Sequence, residues 1–322
     1  MRATILQDSS RLDKMVQFVS QRRTMPAWIV LVAIIAVGAA TSPYFFRTLN
    51  IINVLQSAVV LGILCIGQTY VILAAGIDLS VGSTISLVSV LSNGMMLGRN
   101  EMILPAVISM LCMGLAIGLF NALVTIKLKV PSFLVTLGVL FILSGAALIY
   151  TPKPYGQAAP ALIKLINLSL GELPVSVIVI ALLTAIAGLV LRRTAFGRHV
   201  YAVGGDAAVA RLSGINVNKI KIATFLICGF TAALTGLYVA GWTTVGDPTV
   251  GTGYELSSIA AVIIGGTSLF GGRGGLVGTI AGVLILSVLS NILNLTNVGS
   301  FTQLMIRGAI IILVVSLYGR RR

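Results

Sequence analysis

Apolar residues run through this chain in long stretches, and isolated charges mark where the stretches end. The uncharged intervals are 24–46, 48–77, 79–98, 102–126, 130–152, 173–191, 222–246, 256–272, 274–306 and 308–319. Most approach the ~20 residues that a helix needs to cross ~30 Å of hydrocarbon. The pattern predicts about ten membrane segments, at roughly 26–43, 50–75, 79–98, 103–126, 131–150, 174–191, 222–241, 255–270, 275–295 and 302–318. The eighth is short and glycine-rich, so a half-helix or broken helix competes there with a full span. No polar–apolar alternation runs through the segments, and they are too long for barrel strands. The expected fold is an all-α integral membrane protein, a polytopic helical bundle with some segments short or broken. Residues 26–322 then form one transmembrane domain and residues 1–25 a separate leading segment.

Composition agrees. Of 322 residues, 57% are hydrophobic and 9% charged, whereas a soluble domain carries nearer a quarter charged. Such a chain cannot cover a water-facing surface, which excludes a soluble globular or a disordered protein. A net charge of +14 in a soluble protein would suggest nucleic acid. Here Lys and Arg cluster between apolar runs, the pattern of cytoplasmic anchoring, and nucleic-acid binding is set aside.

The same clusters orient the bundle. Arg2, Arg11, Lys14, Arg22 and Arg23 put the N-terminal segment in the cytoplasm. Alternation then places Lys127, Lys129, the basic loop 192–221, Arg273 and Arg320 to Arg322 on that side, leaving Arg47, Arg99, Lys153 and Lys164 outside. Both termini are expected to be cytoplasmic. The run 27–41 followed by Ala-Thr-Ser reads as a retained first helix, not a cleaved leader. Leu12, Met15, Val16 and Val19 fall at helical spacing among basic neighbours, so residues 9–23 form either an interfacial helix or a solvated leader. An internal echo is also present. Residues 66–97 match 264–295 without gaps, including Ser89–Asn93 against Ser287–Asn291; a parallel repeat, chance and a miscounted crossing stay open.

Three segments carry information. In Ala75-Gly76-Ile77-Asp78-Leu79-Ser80-Val81-Gly82-Ser83, Asp78 is the one charge between Arg47 and Arg99. A carboxylate deep in a membrane helix costs about 2.5–3.5 kcal/mol on insertion scales, so it faces the bundle interior or a cavity. Two readings stand side by side. Asp78 lines a translocation path in a broken helix, where Gly76 and Gly82 let the backbone break or approach closely, or it caps a helix starting at Leu79. Arg273 is a candidate partner for it. In the loop 192–221, Gly204-Gly205 ends one piece and Asp206 is a good N-cap. Ala207, Ala208, Ala210, Arg211 and Leu212 favour helix, and Gly214 suits the position just past its end. A two-turn helix is expected over 206–214, too short to stand alone in water and so packed against the bundle or a partner. The third segment is Gly251-Thr252-Gly253-Tyr254-Glu255-Leu256, followed by the glycine-rich 265–275. No Gly-Lys-Ser or Gly-Lys-Thr follows, so it is no nucleotide-binding loop; glycines at this density suit close helix contacts and a hairpin turn.

Candidate chemistry is sparse. Cys65, Cys112 and Cys228 lie in apolar runs and read as buried small hydrophobes, with neither disulfide nor metal spacing. His199 stands among cations and reads as a surface or interface residue. No catalytic set, metal site or cofactor motif is legible. A membrane-embedded enzyme lacks its residues, and an ion-coupled secondary sugar transporter, the alternative transporter class, would need an ion or proton site that few intramembrane carboxylates could supply.

Together the three segments resemble the permease subunits of bacterial ATP-binding-cassette importers for simple sugars, most of all their ribose-carrying branch. The matching residues are Ala-Gly-Ile-Asp-Leu-Ser-Val-Gly-Ser at 75–83 and Arg-Leu-Ser-Gly-Ile-Asn-Val-Asn-Lys-Ile-Lys at 211–221, then Gly-Thr-Gly-Tyr-Glu-Leu at 251–256 and Ile-Gly-Gly-Thr-Ser-Leu at 264–269. One departure is Gly204-Gly205-Asp206, where the family usually reads Gly-Gly-Asn. The resemblance implies a permease, not an enzyme, in the bacterial inner membrane. It implies a second permease copy, identical or a sister chain, with a periplasmic sugar-binding protein outside and a cytoplasmic ATP-binding subunit that hydrolyses ATP. It places Gly76, Asp78, Ser80, Gly82 and Glu255 as candidates along the path. Arg198, Gly204, Gly205, Asp206, Ala207, Ala208, Arg211, Ser213, Gly214 and Ile215 become candidates for coupling to the ATPase. No cofactor or metal is implied, and the sugar is not legible.

The charge pattern predicts that single cysteines beside Lys153 and Lys164 react with an impermeant reagent added to intact cells and that one beside Arg198 does not. Reaction beside Arg198 from outside would sink this topology.

Overall fold

The structure is a computed structural model, and it describes residues 24–299 and positions 302, 303, 305, 306, 308 and 309. Residues 1–23 of the expected leading segment 1–25 and most of the tenth membrane segment lie outside the described residues; the described positions from 302 to 309 are helical.

Among the described residues, nine apolar helices correspond to the first nine expected segments. They are α1 (Met25–Thr41), α2 (Thr48–Leu73), α3 (Val81–Met96), α4 (Ile103–Lys127), α5 (Ser132–Tyr150), α7 (Val175–Arg193), α10 (Val217–Thr243), α11 (Tyr254–Ile264) and α12 (Leu276–Leu295). Six of these are long and apolar enough to cross a membrane, while α1, α3 and α11 are shorter. Three further helices were not expected as separate elements or at these bounds: α6 (Pro160–Ile166), α8 (Ala195–Gly205) and α9 (Ala207–Leu212). A two-residue hairpin pairs β1 (Ser169–Leu170) with β2 (Leu173–Pro174) in antiparallel register around Gly171. The chain is thus an all-α polytopic membrane protein.

Burial sorts the helices into layers. In the most apolar stretch of α10, 67% of residues are buried, against 6% for α7. α10 is the axis, and α2, α3 and α4 pack around it. The α4 contact is close because Gly114 and Gly118, one turn apart, face the backbone of Gly229 and Phe225. Small residues at four-residue spacing let membrane helices approach until backbones touch, where dispersion is strongest. A second group forms where α11 and α12 pack on α2 and on each other, with α1 packed on α12. α4, α5 and α7 turn apolar side chains such as Phe141, Ile142 and Leu182 outward. Cys65 and Cys228 are buried as expected, but Cys112 is exposed on α4, because that helix buries only one stripe against α10.

All helix ends that carry Lys127, Lys129, Arg192, Arg193, Arg198, Arg211, Lys219, Lys221 and Arg273 gather at one end of the bundle. This basic end holds α8 and α9. The sequence echo is realised as topology, since α2–turn–α3 and α11–turn–α12 both descend to the basic end and return. The register is only half kept: α3 matches α12, but α2 runs on to Leu73 while α11 stops at Ile264.

Candidate functional site

Two interruptions of helix occur inside the bundle, and the expected site residues lie on them. α2 ends with Ala75 in the left-handed region (φ +59°), its N–H donating to the Ile72 carbonyl, while the Gly76 N–H donates to Val71. Of the two roles expected for Gly76, breaking the helix or close approach, the left-handed position falls to Ala75. Gly76 instead permits close approach, since a Cβ there would lie 3.0 Å from Val71 and 3.4 Å from Phe225.

Residues 77–79 then climb back into the bundle without helical hydrogen bonds. α5 supplies the missing partners. The Ile77 N–H donates to Ser132 Oγ and the Leu79 N–H to Thr136 Oγ1, both at 3.0 Å, and Thr136 donates to the Ile77 carbonyl at 3.2 Å. In hydrocarbon an unpaired backbone group costs several kcal/mol, so non-helical chain persists only where side chains pair it. Helix α3 begins at Val81 with Ser80 as N-cap, not at Leu79.

Asp78 is 1% exposed. Its Oδ1 accepts from the Ser80 N–H at 2.9 Å and the Ser80 hydroxyl at 2.6 Å. Asn121 of α4 donates to Ser80 Oγ at 2.8 Å and lies 3.5 Å from both carboxylate oxygens. Cys228 touches the same carboxylate and also donates to Gln68 Oε1 at 3.5 Å. Arg273 is not a partner: it is exposed at the basic end while Asp78 is enclosed by α2, α4 and α10. Gln68 Nε2 and Asn121 Oδ1 are buried here without hydrogen-bond partners among the described residues.

The second interruption follows α10. Residues 245–253 run back beside α3, with the Asp247 N–H donating to Ser89 Oγ (3.4 Å) and the Gly251 N–H to Ser86 Oγ (2.9 Å). Helix α11 then starts beside Gly82. A Cβ on Gly82 would strike the Glu255 carboxylate and come within 2.7 Å of the Gly251 carbonyl. Both Glu255 oxygens accept from the Gly253 N–H at 3.1 Å. The 11 residues of α11 rise about 16 Å at 1.5 Å each, half of a ~30 Å core. The half-helix alternative for the eighth segment is therefore the one realised. Gly82 and Glu255 are brought together, and Asp78 and Glu255 each stand at the N-terminus of a helix starting inside the bundle. A helix N-terminus carries about +0.5 charge, and a carboxylate there is stabilising by up to ~2 kcal/mol in partly buried geometry. That favours a carboxyl group at each of these helix starts, and among the described residues neither has a basic partner.

At the basic end, Thr194 caps α8 by accepting from the Gly197 N–H, and Asp206 caps α9, Oδ1 accepting from Ala208 (2.7 Å) and Val209 (3.0 Å). Gly214 sits at φ +79°, with its N–H on the Arg211 carbonyl and the Ile215 N–H on Ala210, the double bond of a glycine-ended helix. The expected loop is thus two capped helices. Ala210 points inward, and Ile215 packs on the bundle. The outward face carries Ala208, Val209 and Leu212, the last 89% exposed. Between α9 and the bundle lies a cavity of about 770 Å³, lined among others by Gly76, Ile77, Lys129, Arg211 and Lys221. Asp78 lies behind that wall.

A family model described as "Branched-chain amino acid transport system / permease component" matches residues 50–315. The chain belongs to this permease family. The ribose import permease protein RbsC of Escherichia coli K12 is 40% identical to the permease over 293 residues, covering 89% of this chain and 91% of that one. RbsC of Bacillus subtilis 168 is 36% identical over 309 residues, covering 95% of each. The fructose import permease protein FrcC of Rhizobium meliloti is 34% identical over 328 residues, covering 96% of this chain and 89% of that one. No solved structure matches the chain.

Sequence reasoning missed the residues that hold the permease's interruptions, Asn121, Ser132, Thr136 and Ser86. Hydroxyls and amides inside apolar runs were the available signal, but nothing along the chain says which of them face a gap in a neighbouring helix. Thr136→Val removes the partner of both Leu79 N–H and Ile77 C=O. It is expected to lower stability by about 2–4 kcal/mol, read as a reduced melting temperature in detergent, while Thr136→Ser stays near wild type. Equal melting of all three would show that the hydroxyl does not hold this segment.

Proposed function

We propose that this permease is the membrane subunit of an ATP-driven, binding-protein-dependent importer of a simple sugar, a ribose-like pentose or a related monosaccharide. The observation that carries the reading is similarity along nearly the whole chain to permeases named for ribose and fructose import. The chain is a multi-pass protein of the bacterial inner membrane and a translocation subunit. On this reading the basic end and both termini are cytoplasmic, because Lys and Arg collect there. ATP is hydrolysed by a separate cytoplasmic subunit, a periplasmic binding protein delivers the sugar, and a second permease copy, identical or a sister chain, completes the path.

Helix α9 is the contact with the ATPase. Its support is chemical: Ala208, Val209 and Leu212 present an apolar face on a six-residue helix at the water-facing basic end, where exposed apolar residues on a capped element suit a partner. Asp206, Gly214 and Arg211 set the helix ends, and Gly204 and Gly205 set its approach to the bundle. Asp78 and Ser80 act on transport by fixing the interrupted segment that reaches the cavity through Gly76 and Ile77, and Gly82 and Glu255 by fixing the second.

Ala208→Trp and Leu212→Glu are expected to lower co-purification with the ATPase about tenfold or more while the bundle still inserts. Co-purification and binding-protein-stimulated ATP hydrolysis at wild-type level in both variants would contradict the assignment of α9. Asp78→Asn keeps size and an acceptor oxygen but removes charge. Uptake of the cognate sugar at normal expression is expected to fall about fivefold or more; unchanged uptake would mean that neutral capping suffices.

A further inference from the structure

Three segments meet at the basic end largely backbone to backbone, the Ala75 methyl being the one side-chain group near Gly271. The Gly272 N–H donates to the Leu73 carbonyl at 3.0 Å. A Cβ on Gly204 would run into that same carbonyl, and one on Gly272 would lie 2.7 Å from the Gly205 Cα. A Cβ on Gly271 would lie 2.8 Å from both the Ala75 N and the Gly204 carbonyl. Gly271 and Gly272 are themselves left-handed, at φ +86° and +68°. The contact is braced on both sides. Tyr201 of α8 donates to the Gly274 carbonyl at 2.9 Å, and Phe196 of α8 stacks on Tyr70 of α2 with ring centres 6.0 Å apart.

Each segment leads somewhere different. Gly204–Gly205 runs directly into the Asp206 cap of α9. Leu73–Ala75 opens the first helix interruption, which ends at Asp78 and Ser80. Gly271–Gly272 belongs to the turn between the half-helix α11 and α12. All three border one cavity, through Ala207 and Arg211, through Ala74 to Ile77, and through Leu269. Backbone against backbone leaves no rotamer to absorb a displacement, so a shift of one strand of the contact is passed on whole.

We infer that this glycine contact is a rigid joint through which movement of α8 and α9 is imposed at once on the first interrupted segment and, through the α11–α12 turn, on the half-helix that follows the second, making Gly271, Gly272 and Tyr201 positioning residues for transport. The inference rests on α9 being the ATPase contact, and it adds how that contact reaches the interior. The joint explains why two glycines occupy left-handed positions in a turn that merely reversing direction would not require to touch α8.

The test uses the whole importer, permease with ATPase and loaded binding protein, carrying Gly272→Ala. Assembly and basal ATP hydrolysis are expected to stay within about twofold of wild type, while stimulation by loaded binding protein and uptake fall about tenfold or more, the size of a typical coupling free energy. Tyr201→Phe, which adds no bulk, is expected to lose about threefold in stimulation on the same grounds, and it decides alone if Gly272→Ala does not insert. Stimulation at wild-type level, or stimulation that falls only in proportion to lost assembly, overturns the joint. Failure of the docking reading would show separately, as an Ala208→Trp importer that keeps its ATPase.

Discussion

Inside hydrocarbon no water is available to a backbone N–H or C=O, so any stretch of chain that leaves a helix must find its partners in the protein. This bundle leaves helix twice at depth, over residues 75–80 and 245–253, and its polar side chains are distributed accordingly. Ser132 and Thr136 on α5 serve the first gap, Ser86 and Ser89 on α3 the second. Each gap ends in a new helix whose N-terminus lies inside the bundle, and each N-terminus has a carboxylate, Asp78 or Glu255. The scarce carboxyl groups of the apolar core thus answer backbone geometry first.

The rest of the packing follows from giving these gaps rigid walls. α10 is buried along most of its length and touches α4 through glycine, so the two helices form a wall with little room to repack. Asn121 on α4 and Cys228 on α10 reach from that wall to the Asp78–Ser80 turn. At the basic end the walls give way to a cavity bordered by the first interruption, by Leu269 of the α11–α12 turn and by α9. A bundle arranged in this way has a stiff axis and a short, polar-held segment next to a water-facing element, an arrangement that suits alternating access.

Much of this was legible along the chain because its causes are local. Charge spacing located nine helices closely, and Asp206 and Gly214 announced a short capped helix because capping depends on residues within one turn. The Gly82–Glu255 proximity and the partners of Asp78 were not legible, since they depend on which faces of α3, α4, α5 and α11 meet. Arg273 illustrates the failure. An internal repeat suggested that it lay near Asp78, but the first arms of the repeat are out of register, so Arg273 is exposed at the basic end and Asp78 is enclosed. The outward face of α9 was not legible for a related reason. Ala210 turns inward while Val209 and Leu212 turn out, because the glycine-ended motif sets the rotation of so short a helix.

The account stands or falls on the energy source. Proteoliposomes holding the permease with its ATPase can be given labelled sugar and binding protein on one face, and either ATP on the face of α9 or a proton or sodium gradient without ATP. Uptake is expected only with ATP and loaded binding protein together, and collapsing ion gradients should leave it unchanged. Uptake driven by a gradient in the absence of ATP would contradict the account and make this chain an ion-coupled carrier.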